Sequence, residues 1–513
     1  MGSKISIEDL ATFCKKKGFV FPSSEIYGGF SGFFDFGPLG VELLKNIKDS
    51  WWKCFVRDKE NMVGIEASII SHPRTWKASG HLESFGDTVL SCKKCKNKLR
   101  ADHFIEDSLK IKADGLELDR INELINKNNL KCPKCRGDFE DLKDFNLLFE
   151  TSVGAQRDSS SKAYLRGETA QAMFMDFKMV AETSRKNLPF GIAQIGRCFR
   201  NEIAPRDFLF RSREFHIAEL EFFIHPKEKR CLLFEDRHKK LKVNLLDAES
   251  QSKENPKPKE TTIEEMAENG KLDQWHAYWL AEQILWLRSV GLSSKNLKVR
   301  EHTKQELSHY SSATFDIDYE YPFGSKELAG IANRGQYDLT QHEKESKNKM
   351  EFFDEATKEK IIPRVIEPTF GVERIFLAVL TEAYNDDKKR GNIVLKLHPR
   401  LAPIKVGVFP IVANDKNVVK KAREVLDSIK DDFHCFWDAG GSIGRRYARQ
   451  DEVGTPFNVT IDFESLEDNS VTIRNRDDTS QIRVPIKDLK EILKKALNCE
   501  KFESLGKVIR KGE

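Results

Sequence analysis

The sequence predicts an α/β (α+β) protein: a sheet flanked by helices, an insertion bracketed by cysteines, and a small C-terminal α/β domain. The first observation is residues 194–223, where two strand-like runs are joined by a charged loop and predict a hairpin. The second is the alternation of strand and helix patterns from about Pro403 onward, which is typical of a small mixed sheet. The third is a pair of CxxC turns that bracket the segment 91–144.

Length and composition favour a folded chain of several domains. At 513 residues the length predicts about three domains, and 39% hydrophobic residues suffice for packed cores. The sequence has no apolar run of transmembrane length, and its first residues lack the apolar region of a secretory signal. We therefore expect no membrane association and a cytoplasmic location. The net charge of +4 neither requires nor excludes a nucleic-acid partner, because local patches set the field.

Four of the ten cysteines form the two CxxC turns, Cys92 with Cys95 and Cys132 with Cys135. Each turn places two thiolates on one side of a tight loop, and four thiolates can close a tetrahedron around Zn²⁺. We therefore predict a structural zinc site, with four free thiols as the alternative. A catalytic zinc is not expected, because four cysteine ligands leave no open coordination position.

Two polar segments interrupt the strand and helix patterns. Residues 114–128, between the CxxC turns, are predicted to be helical. Residues 248–262 are rich in lysine, glutamate and proline and contain no aromatic residue. Such a composition cannot bury enough apolar surface to order itself, so we predict a mobile loop tip there.

The predicted hairpin carries the residue types that a nucleoside triphosphate requires. Arg200, Asn201 and Glu202 stand together before the loop, and Phe215 follows it. An arginine can donate two hydrogen bonds to a phosphate, an aromatic ring can stack on a base, and a carboxylate can accept from an exocyclic amine. The hairpin is therefore the candidate nucleotide site.

This arrangement resembles motif 2 of the class II aminoacyl-tRNA synthetases. Motif 3 of that class is matched by EPTFGVERIFLAVL at residues 367–380, and motif 1 by the amphipathic run 39–57 followed by Pro73. Within the class, the wording is most similar to the homodimeric glycyl-tRNA synthetase family, through YGGFSGFFDFGPLG, TWKASGH, YLRGETAQ, FRNEI, FRSREF and KELAGIANRGQYDL. The resemblance covers nearly the whole chain, apart from one lysine- and glutamate-rich insertion.

The resemblance implies a class II antiparallel sheet flanked by helices. It divides the chain into a catalytic domain (1–90 and 145–400), the CxxC insertion (91–144) and an anticodon-binding domain (401–513). It also implies a ligase that uses ATP and Mg²⁺ to attach glycine to tRNA(Gly) through a glycyl-adenylate. The implied partners are glycine, tRNA(Gly) and a second copy of the chain in a homodimer.

For the nucleotide, the resemblance implies three catalytic residues, Arg200, Glu202 and Arg374. Arg200 would bind the α-phosphate, where negative charge builds up, and Arg374, at the start of a predicted helix, would bind the γ-phosphate. Glu202 would accept from the adenine amino group, Phe215 would stack on the ring, and Glu327 would approach the phosphates through Mg²⁺. The full predicted ATP-binding set is Arg200, Asn201, Glu202, Phe210, Arg211, Arg213, Glu214, Phe215, Glu327, Leu328, Gly371, Val372, Glu373 and Arg374.

For glycine, the resemblance implies an anionic pocket that holds the ammonium group and excludes larger side chains by steric clash. Glu168 and Glu219 would pair with the ammonium, although Glu221 has the same strand parity as Glu219 and could face the site instead. Thr369 would approach the α-carbon, where the family usually carries serine. The full predicted glycine-binding set is Arg100, Glu168, Phe215, Glu219, Glu367, Thr369 and Gly371.

A glycine-rich turn at residues 440–444 matches neither a P-loop nor a dinucleotide-binding fingerprint. Because this part of the chain resembles an anticodon-binding domain, Arg445 and Arg446 are predicted to contact tRNA. Arginines on such domains bind the RNA backbone and stack on unpaired bases.

Two alternatives remain at the level of sequence. One is a synthetase of the same subclass for proline, threonine or histidine, which the wording RGETAQ, ELAGIA and FRSREF disfavours. The other is a non-catalytic synthetase-like subunit that binds nucleic acid. Such a subunit would keep the fold and lose the ATP residues, whereas this chain retains them.

Overall fold

The computed structural model describes residues 5–111, 113, 116, 118–155, 160–253, 255–307 and 311–509. These residues form 18 α-helices, and none of the described helices is long and apolar enough to cross a bilayer. The helices are α1 Ile7–Lys17, α2 Pro38–Trp52, α3 Pro73–Ala78, α4 His81–Ser84, α5 Ala101–Leu109, α6 Leu118–Lys127, α7 Ala170–Met175, α8 Phe177–Ser184, α9 Asp236–Lys239, α10 Ala248–Gln251, α11 Ile263–Glu268, α12 Gln274–Ser289, α13 Tyr337–Ser346, α14 Val372–Ala383, α15 Lys416–Ile429, α16 Ile443–Val453, α17 Glu464–Asp468 and α18 Leu489–Leu497.

The same described residues form 27 β-strands. They are β1 Val20–Pro22, β2 Phe34–Phe36, β3 Met62–Gly64, β4 Ile70–Ser71, β5 Gly86–Ser91, β6 Lys98–Arg100, β7 Lys143–Asn146, β8 Glu150–Ser152, β9 Lys162–Leu165, β10 Phe190–Phe199, β11 Glu214–Ile224, β12 Lys242–Leu246, β13 Lys259–Thr262, β14 Leu297–Glu301, β15 Ala313–Tyr321, β16 Gly324–Gly335, β17 Phe352–Asp354, β18 Glu359–Ile361, β19 Arg364–Gly371, β20 Tyr384–Asp387, β21 Asn392–Leu395, β22 Val406–Pro410, β23 Cys435–Trp437, β24 Phe457–Ile461, β25 Ser470–Asn475, β26 Gln481–Pro485 and β27 Lys507–Ile509.

Nine strands form the central sheet, in the order β13-β12-β14-β15-β16-β19-β11-β10-β3. Its neighbouring strands are antiparallel, except that β10 pairs with β3 and β12 pairs with β14 in parallel. The long helix α12 packs against β16 and β19, and α14 packs against β11, β15 and β19. The prediction of an antiparallel-rich sheet flanked by helices is confirmed.

The predicted hairpin at residues 194–223 is formed by β10 and β11. Its register places Gln194 opposite Glu219. Because side chains alternate along a strand, β11 divides its residues between two faces. Phe222 packs into the main core, where its ring centroid lies 5.0 Å from that of Trp279 on α12. Glu219 and Glu221 share the opposite face of the sheet, which carries the site described below.

A six-stranded C-terminal sheet has the order β23-β22-β24-β25-β26-β27. Strand β22 pairs in parallel with β23 and β24, and the remaining pairs are antiparallel, as the strand–helix alternation predicted. Helices α15 and α18 bury their apolar sides in this unit, for example Val418, Val425 and Leu493. The unit therefore has a hydrophobic core of its own.

The cysteine-bearing segment forms a three-stranded sheet, β6-β5-β7, covered by α5 and α6. The helix predicted over residues 114–128 is confirmed as α6, Leu118–Lys127. Residues 114, 115 and 117 of that prediction lie outside the described part of the chain. A small separate core, including Ile105 and Ile121, holds the unit together.

The prediction of a mobile loop tip over residues 248–262 is wrong at both ends of the segment. Asp247 caps α10 by accepting from the backbone N–H of Ser250 at 2.7 Å, and β13 pairs with β12 at the sheet edge. Residue 254 is outside the described chain. An edge strand is held by backbone hydrogen bonds, so its side chains can remain polar and give no apolar signal.

Candidate active site and cysteine cluster

A cavity of about 350 Å³ opens on the face of the central sheet that carries Glu219. Strands β11, β16 and β19 form its floor, and the start of α14 and the segment before β5 form its walls. The predicted site residues that line it are Arg100, Arg200, Glu202, Phe210, Arg211, Phe215, Glu327, Thr369, Gly371, Glu373 and Arg374. Residues separated by more than 250 positions in the sequence thus meet in one concave site.

Arg200 lies at the end of β10 between two aromatic rings. Its guanidinium carbon is 5.1 Å from the ring centroid of Phe85 and 5.5 Å from that of Phe215. Its Nε donates to the backbone oxygen of Gly167 at 3.1 Å. These contacts fix the orientation of the guanidinium before any anion arrives, since cation–π contacts and a backbone bond both restrain it.

Glu202 and the arginines around it organise the loop of the hairpin. Arg211 Nη1 lies 3.5 Å from Glu202 Oε2, and Arg213 donates to the backbone oxygen of Glu202 from Nε at 3.0 Å and from Nη2 at 2.7 Å. Glu202 is only 8% exposed. A buried carboxylate with so few donors retains acceptor capacity for a ligand amine.

Arg374 is placed in the first turn of α14 and reaches across to β16. Its Nη1 lies 3.0 Å from Glu327 Oε2 and 3.2 Å from the Glu327 backbone oxygen, and its guanidinium carbon is 4.5 Å from the Phe210 ring centroid. Burial raises the pKa of Glu327, but the attraction of Arg374 outweighs it and the net pKa is lowered. Glu327 is therefore an ionised carboxylate at the cavity wall.

Asp318 lies directly opposite Glu327 across the β15–β16 pair. Its Oδ1 is buried and has no hydrogen-bond partner within the described part of the chain, while Oδ2 lies 3.5 Å from Lys298 Nζ. Burial raises the pKa of Asp318, with Arg300 and Lys298 acting against it. Two neighbouring carboxylates, one with a free oxygen, form a donor set that fits Mg²⁺, which prefers oxygen ligands and retains water.

The acidic part of the site lies just beneath Thr369. Thr369 Oγ1 donates to Glu219 Oε1 at 3.4 Å, and Glu219 Oε2 accepts from the backbone N–H of Thr169 at 2.9 Å and from its hydroxyl. Burial raises the pKa of Glu219, and the neighbouring Glu168 raises it further. Of the Glu219 oxygens, Oε1 is thus the one next to the cavity.

Glu221 lies further from the cavity than Glu219. It is fully buried, and both of its carboxyl oxygens have no hydrogen-bond partner among the described residues. Burial and then the nearby Glu367 hold the pKa of Glu221 well above its ordinary value. The predicted glycine-binding residues Glu168, Glu219 and Glu367 do not line the cavity themselves. Of the two strand positions, Glu219 is the one that contacts a lining residue, Thr369.

Glu367 and Asp338 share one buried arginine. Arg334 Nη1 donates to Glu367 at 2.8 and 2.9 Å, and Arg334 Nε and Nη2 donate to Asp338 at 2.7 Å each. Burial raises the pKa of Glu367 to about 8, against the attraction of Arg334. Arg334 thus binds two carboxyl groups at once, and Glu367, Glu219 and Glu168 form an acidic cluster beneath Thr369.

Arg100 is held by two carboxylates at the other side of the cavity. Its Nη1 lies 3.0 Å from Asp87 and its Nη2 lies 2.7 Å from Asp102. Burial raises the pKa of Asp87 to about 6, although Arg100 lowers it. The prediction that Arg100 faces a substrate is compatible with its place in the wall, and Asp87 lines the cavity beside it.

Five of the predicted ATP-binding residues do not line this cavity: Asn201, Arg213, Glu214, Leu328 and Val372. Leu328 and Val372 are part of the main hydrophobic core, because each follows a site residue and points to the opposite face. Glu214 forms an ion pair with Arg197. Asn201, Arg213 and Glu214 therefore brace the hairpin or lie outside the cavity. Leu328 and Val372 are packing residues.

Several residues of the site were not predicted from the sequence: Phe85, Asp87, Asp102, Asp318, Arg334, Asp338, His81, Thr169, Gln171 and His216. His216, for example, donates its backbone N–H to Glu373 Oε2 at 2.7 Å and holds Oε1 through Nδ1 at 2.7 Å. Arg334 and Asp338 stand within the quoted KELAGIANRGQYDL wording, which is the signal that could have identified them.

The four CxxC cysteines come together as predicted. Their sulfur atoms all lie within 4.8 Å of one another, with Cys92 and Cys135 separated by 3.4 Å and Cys95 and Cys132 by 3.7 Å. Four thiolates at ~2.3 Å from a tetrahedral Zn²⁺ would be roughly 3.8 Å apart. The cluster therefore has the donor type, number and spacing of a structural zinc site.

The two arginines predicted to contact tRNA differ in exposure. Arg445 is exposed, whereas Arg446 is 1% exposed and donates to the backbone oxygens of Pro410 and Gly441. The Arg446 prediction therefore needs correction: its guanidinium is committed to holding the glycine-rich turn against β22. Arg445 remains the accessible cation of the pair.

Two family models match the chain. Residues 149–243 match the class II tRNA synthetase core domain for G, H, P, S and T, and residues 405–496 match an anticodon-binding domain. The first match contains the hairpin, and the second coincides with the C-terminal sheet. Together, the antiparallel sheet and the arginine-lined cavity define the class: this is a class II aminoacyl-tRNA synthetase.

Relatives that align with nearly the whole chain show which family of this class it belongs to. The chain is 43% identical to a glycine–tRNA ligase of Caldanaerobacter subterraneus subsp. tengcongensis over 97% of this chain and all of that protein. It is 43% identical to that of Geobacillus thermodenitrificans and 41% identical to that of Bacillus anthracis, over 96% of this chain in each case and 98% and 99% of those proteins. The chain belongs to the glycine–tRNA ligase family.

Proposed function

We propose that this chain attaches glycine to tRNA(Gly) in two steps, through a glycyl-adenylate. In the first step the glycine carboxylate attacks the α-phosphorus of ATP. A bond forms between a carboxylate oxygen of glycine and the α-phosphorus. The bond from the α-phosphorus to the oxygen that bridges to the β-phosphate breaks, and pyrophosphate leaves. In the second, a ribose hydroxyl of the tRNA end takes the glycyl group and AMP leaves. The observation that carries the proposal is the buried acidic group next to the arginine-lined cavity.

The catalytic roles follow from where charge develops. Arg200, held between two rings, is the proposed partner of the α-phosphate, and Arg374 is the proposed partner of the γ-phosphate. Donors fixed in advance stabilise developing charge without the cost of reorganisation. Glu202 is proposed to accept from the adenine amino group, and Phe215 to stack on the adenine. Mg²⁺, held by Glu327 with Asp318 beside it, would neutralise phosphate charge.

Selection of glycine is proposed to combine attraction with exclusion. The ammonium would pair with Glu219, whose Oε1 lies next to Thr369, while the nearby Glu168 supplies further negative charge. Thr369 and Gly371 would leave no space at the α-carbon for a side chain. Exclusion of this kind rejects larger amino acids by clash, because each lost or gained methylene contact is worth little.

The cysteine cluster is proposed to hold a structural Zn²⁺, and the domain boundaries predicted from the sequence are proposed to hold as well. Separate hydrophobic cores in the insertion and in the C-terminal unit support that division.

All ten cysteines are unpaired, which supports a reducing compartment such as the cytoplasm. The homodimer implied by the resemblance is proposed as well.

One experiment separates a glycine-specific synthetase from a synthetase for another amino acid and from a non-catalytic subunit. Amino-acid-dependent exchange of labelled pyrophosphate into ATP is measured with each of the twenty amino acids, and tRNA(Gly) is then added to measure charging. Glycine alone should support exchange. Exchange with proline, threonine or histidine would indicate another synthetase of the subclass, and exchange with none would indicate the non-catalytic alternative.

A further inference from the structure

Glu168 is a buried carboxylate whose two oxygens are held by two different side chains. His81 Nε2 lies 3.1 Å from Oε2, and Gln171 Nε2 donates to Oε1 at 2.9 Å. Glu168 is 8% exposed, His81 is 5% exposed and Gln171 is 2% exposed. Neither donor lines the active-site cavity. Glu168 does not line it either, so both contacts lie in the buried layer beneath the cavity.

Each donor is itself anchored on the side away from Glu168. His81 Nδ1 lies 2.8 Å from Ser79 Oγ, and the imidazole is flanked by Trp76 and Phe85, with ring centroids 5.2 and 4.9 Å away. A histidine whose Nδ1 is bonded to a buried hydroxyl and whose ring is packed between aromatics has little freedom to rotate. The ring is therefore held with Nε2 3.1 Å from the Glu168 carboxylate.

Gln171 is fixed in a comparable way by a second histidine. Its Oε1 accepts from His342 Nε2 at 2.8 Å, which leaves its amide nitrogen to donate to Glu168 and, at 3.3 Å, to Asp338. His342 is 6% exposed. The amide orientation is therefore set by three buried partners.

The residues on either side of Glu168 connect it to the reacting groups. The Gly167 oxygen accepts from Arg200 Nε at 3.1 Å, and the Thr169 backbone N–H donates to Glu219 at 2.9 Å. The residues before and after Glu168 thus contact the proposed α-phosphate arginine and Glu219, the other proposed ammonium carboxylate. A change in the orientation of Glu168 would be transmitted to Glu219 before it affected the distant Arg374.

We propose that His81 and Gln171 are positioning residues for glycine, which hold the Glu168 carboxylate ionised and correctly oriented beneath the ammonium subsite. This inference rests on the proposed role of Glu168 in binding the ammonium. An ionised carboxylate buried without donors is costly, so removal of either donor lets Glu168 take up a proton or rotate away. Both outcomes weaken attraction for a cation and leave the phosphate-binding arginines in place.

The test is a set of variants assayed by glycine-dependent pyrophosphate exchange: His81→Leu, Gln171→Met, His81→Gln and Glu168→Gln. The first two remove one donor each at similar volume. We expect each to raise the KM for glycine at least tenfold while the KM for ATP changes less than twofold. His81→Gln can present an amide N–H near the Nε2 position, and it should restore the glycine KM to within about threefold of wild type.

Each alternative outcome has a defined meaning. An unchanged glycine KM in folded His81→Leu and Gln171→Met proteins, or equal rises in both KM values, would overturn the inference. If Glu168→Gln leaves the glycine KM unchanged, the assignment of Glu168 itself fails, which is a failure of the proposed function instead. If His81→Leu does not fold, His81→Asn serves in its place, since its amide is too short to reach Glu168; equal glycine KM values for His81→Asn and His81→Gln would then overturn the inference.

Discussion

Arg374 and Glu327 form an ion pair inside the cavity, with Nη1 of the arginine 3.0 Å from Oε2 of the glutamate. The proposed partners of the γ-phosphate and of Mg²⁺ are thus joined to each other before a nucleotide binds. The pair holds both side chains in place while the cavity is empty. When ATP and Mg²⁺ bind, Glu327 would hold the metal and Arg374 would bind the γ-phosphate, so that both cations could neutralise phosphate charge.

Glu327→Gln should raise the Mg²⁺ concentration needed for half-maximal exchange activity by at least tenfold, because the amide is a weaker ligand for a hard cation. The measurement is pyrophosphate exchange across a Mg²⁺ titration at saturating ATP and glycine. Glu260→Gln provides the control, because Glu260 is an exposed carboxylate on the edge strand β13, where it pairs with Lys242. An unchanged Mg²⁺ dependence in Glu327→Gln would remove that residue from the metal site.

Arg200→Ala should lower kcat for adenylate formation on the order of 10²- to 10³-fold, the usual effect of removing one preorganised donor to a transition-state charge. Single-turnover adenylate formation measures this step directly. Arg197→Ala is the matched control, since Arg197 is on the same strand but is 56% exposed and pairs with Glu214. Adenylate formation at the wild-type rate in Arg200→Ala would contradict the assigned role.

Thr369→Ser removes one methyl group from the wall of the proposed glycine subsite. We expect the KM for glycine to change by less than threefold, and exchange supported by alanine to rise about tenfold or more, because a relieved clash admits a larger amino acid. The ratio of kcat/KM for glycine and alanine is the measurement. Thr369→Val keeps the volume and loses the bond to Glu219, so it should preserve the rejection of alanine. An unaltered ratio in Thr369→Ser would show that the methyl merely packs.

Metal analysis of the purified protein should give one zinc per chain, and Cys132→Ser should lose it together with stability of the insertion. Structural zinc sites contribute folding energy directly, so a chelator should lower the melting temperature of wild type and leave the variant unaffected. Cys499→Ser is the control, since Cys499 is exposed and lies far from the cluster in sequence. A wild-type protein free of zinc with an unchanged melting temperature would favour four free thiols.

Glu282 predicts a specific acid dependence of stability. Burial raises the pKa of Glu282, but bonds from His238, Lys59 and Arg237 outweigh it and hold the pKa at about 2, below its ordinary value of 4.5. Because the pKa of Glu282 is lower in the folded state than in the unfolded state, its ionised form stabilises the fold. This contribution to the free energy of unfolding is fully present above about pH 4.5, amounts to about 3 kcal/mol for a shift of this size, and is lost as the pH falls toward 2.

The stability difference between wild type and Glu282→Gln should therefore be largest near neutral pH and should shrink steadily below pH 4.5. Thermal or urea unfolding across a pH series measures it. Glu260→Gln is the comparison, because Glu260 pairs with Lys242 at an exposed position and should give almost no difference at any pH. A stability difference between wild type and Glu282→Gln that stays constant down to pH 2 would contradict the lowered pKa of Glu282.

The sequence alone predicted the elements whose pattern is local. The hairpin of β10 and β11 follows from two strand-like runs and a charged loop, and the C-terminal mixed sheet follows from alternating strands and helices. Four cysteines in two CxxC turns are sufficient to predict a thiolate cluster, since each turn fixes two of its members. Family wording then placed Arg200, Glu327 and Arg374 in one site, although their sequence positions are remote.

The tertiary structure decided what depends on packing across the chain. Glu219 and Glu221 share one strand face, and only the register with β19 shows that Glu219 is the one beside Thr369. Leu328 and Val372 are core residues because strand and helix geometry turn them away from their neighbours in the site. Arg446 is buried, and its guanidinium donates to the backbone oxygen of Pro410, a residue 36 positions away in the sequence.

What the sequence determined is thus the set of chemical groups and the local elements that carry them, because periodicity and turn residues act over a few positions. Which carboxylate lies beside Thr369, which arginine is exposed, and which histidine lies beside Glu168 were decided only by the folded chain. The physical reason is that orientation and charge state depend on burial and on partners brought together by the central sheet, and these do not exist until the strands pair.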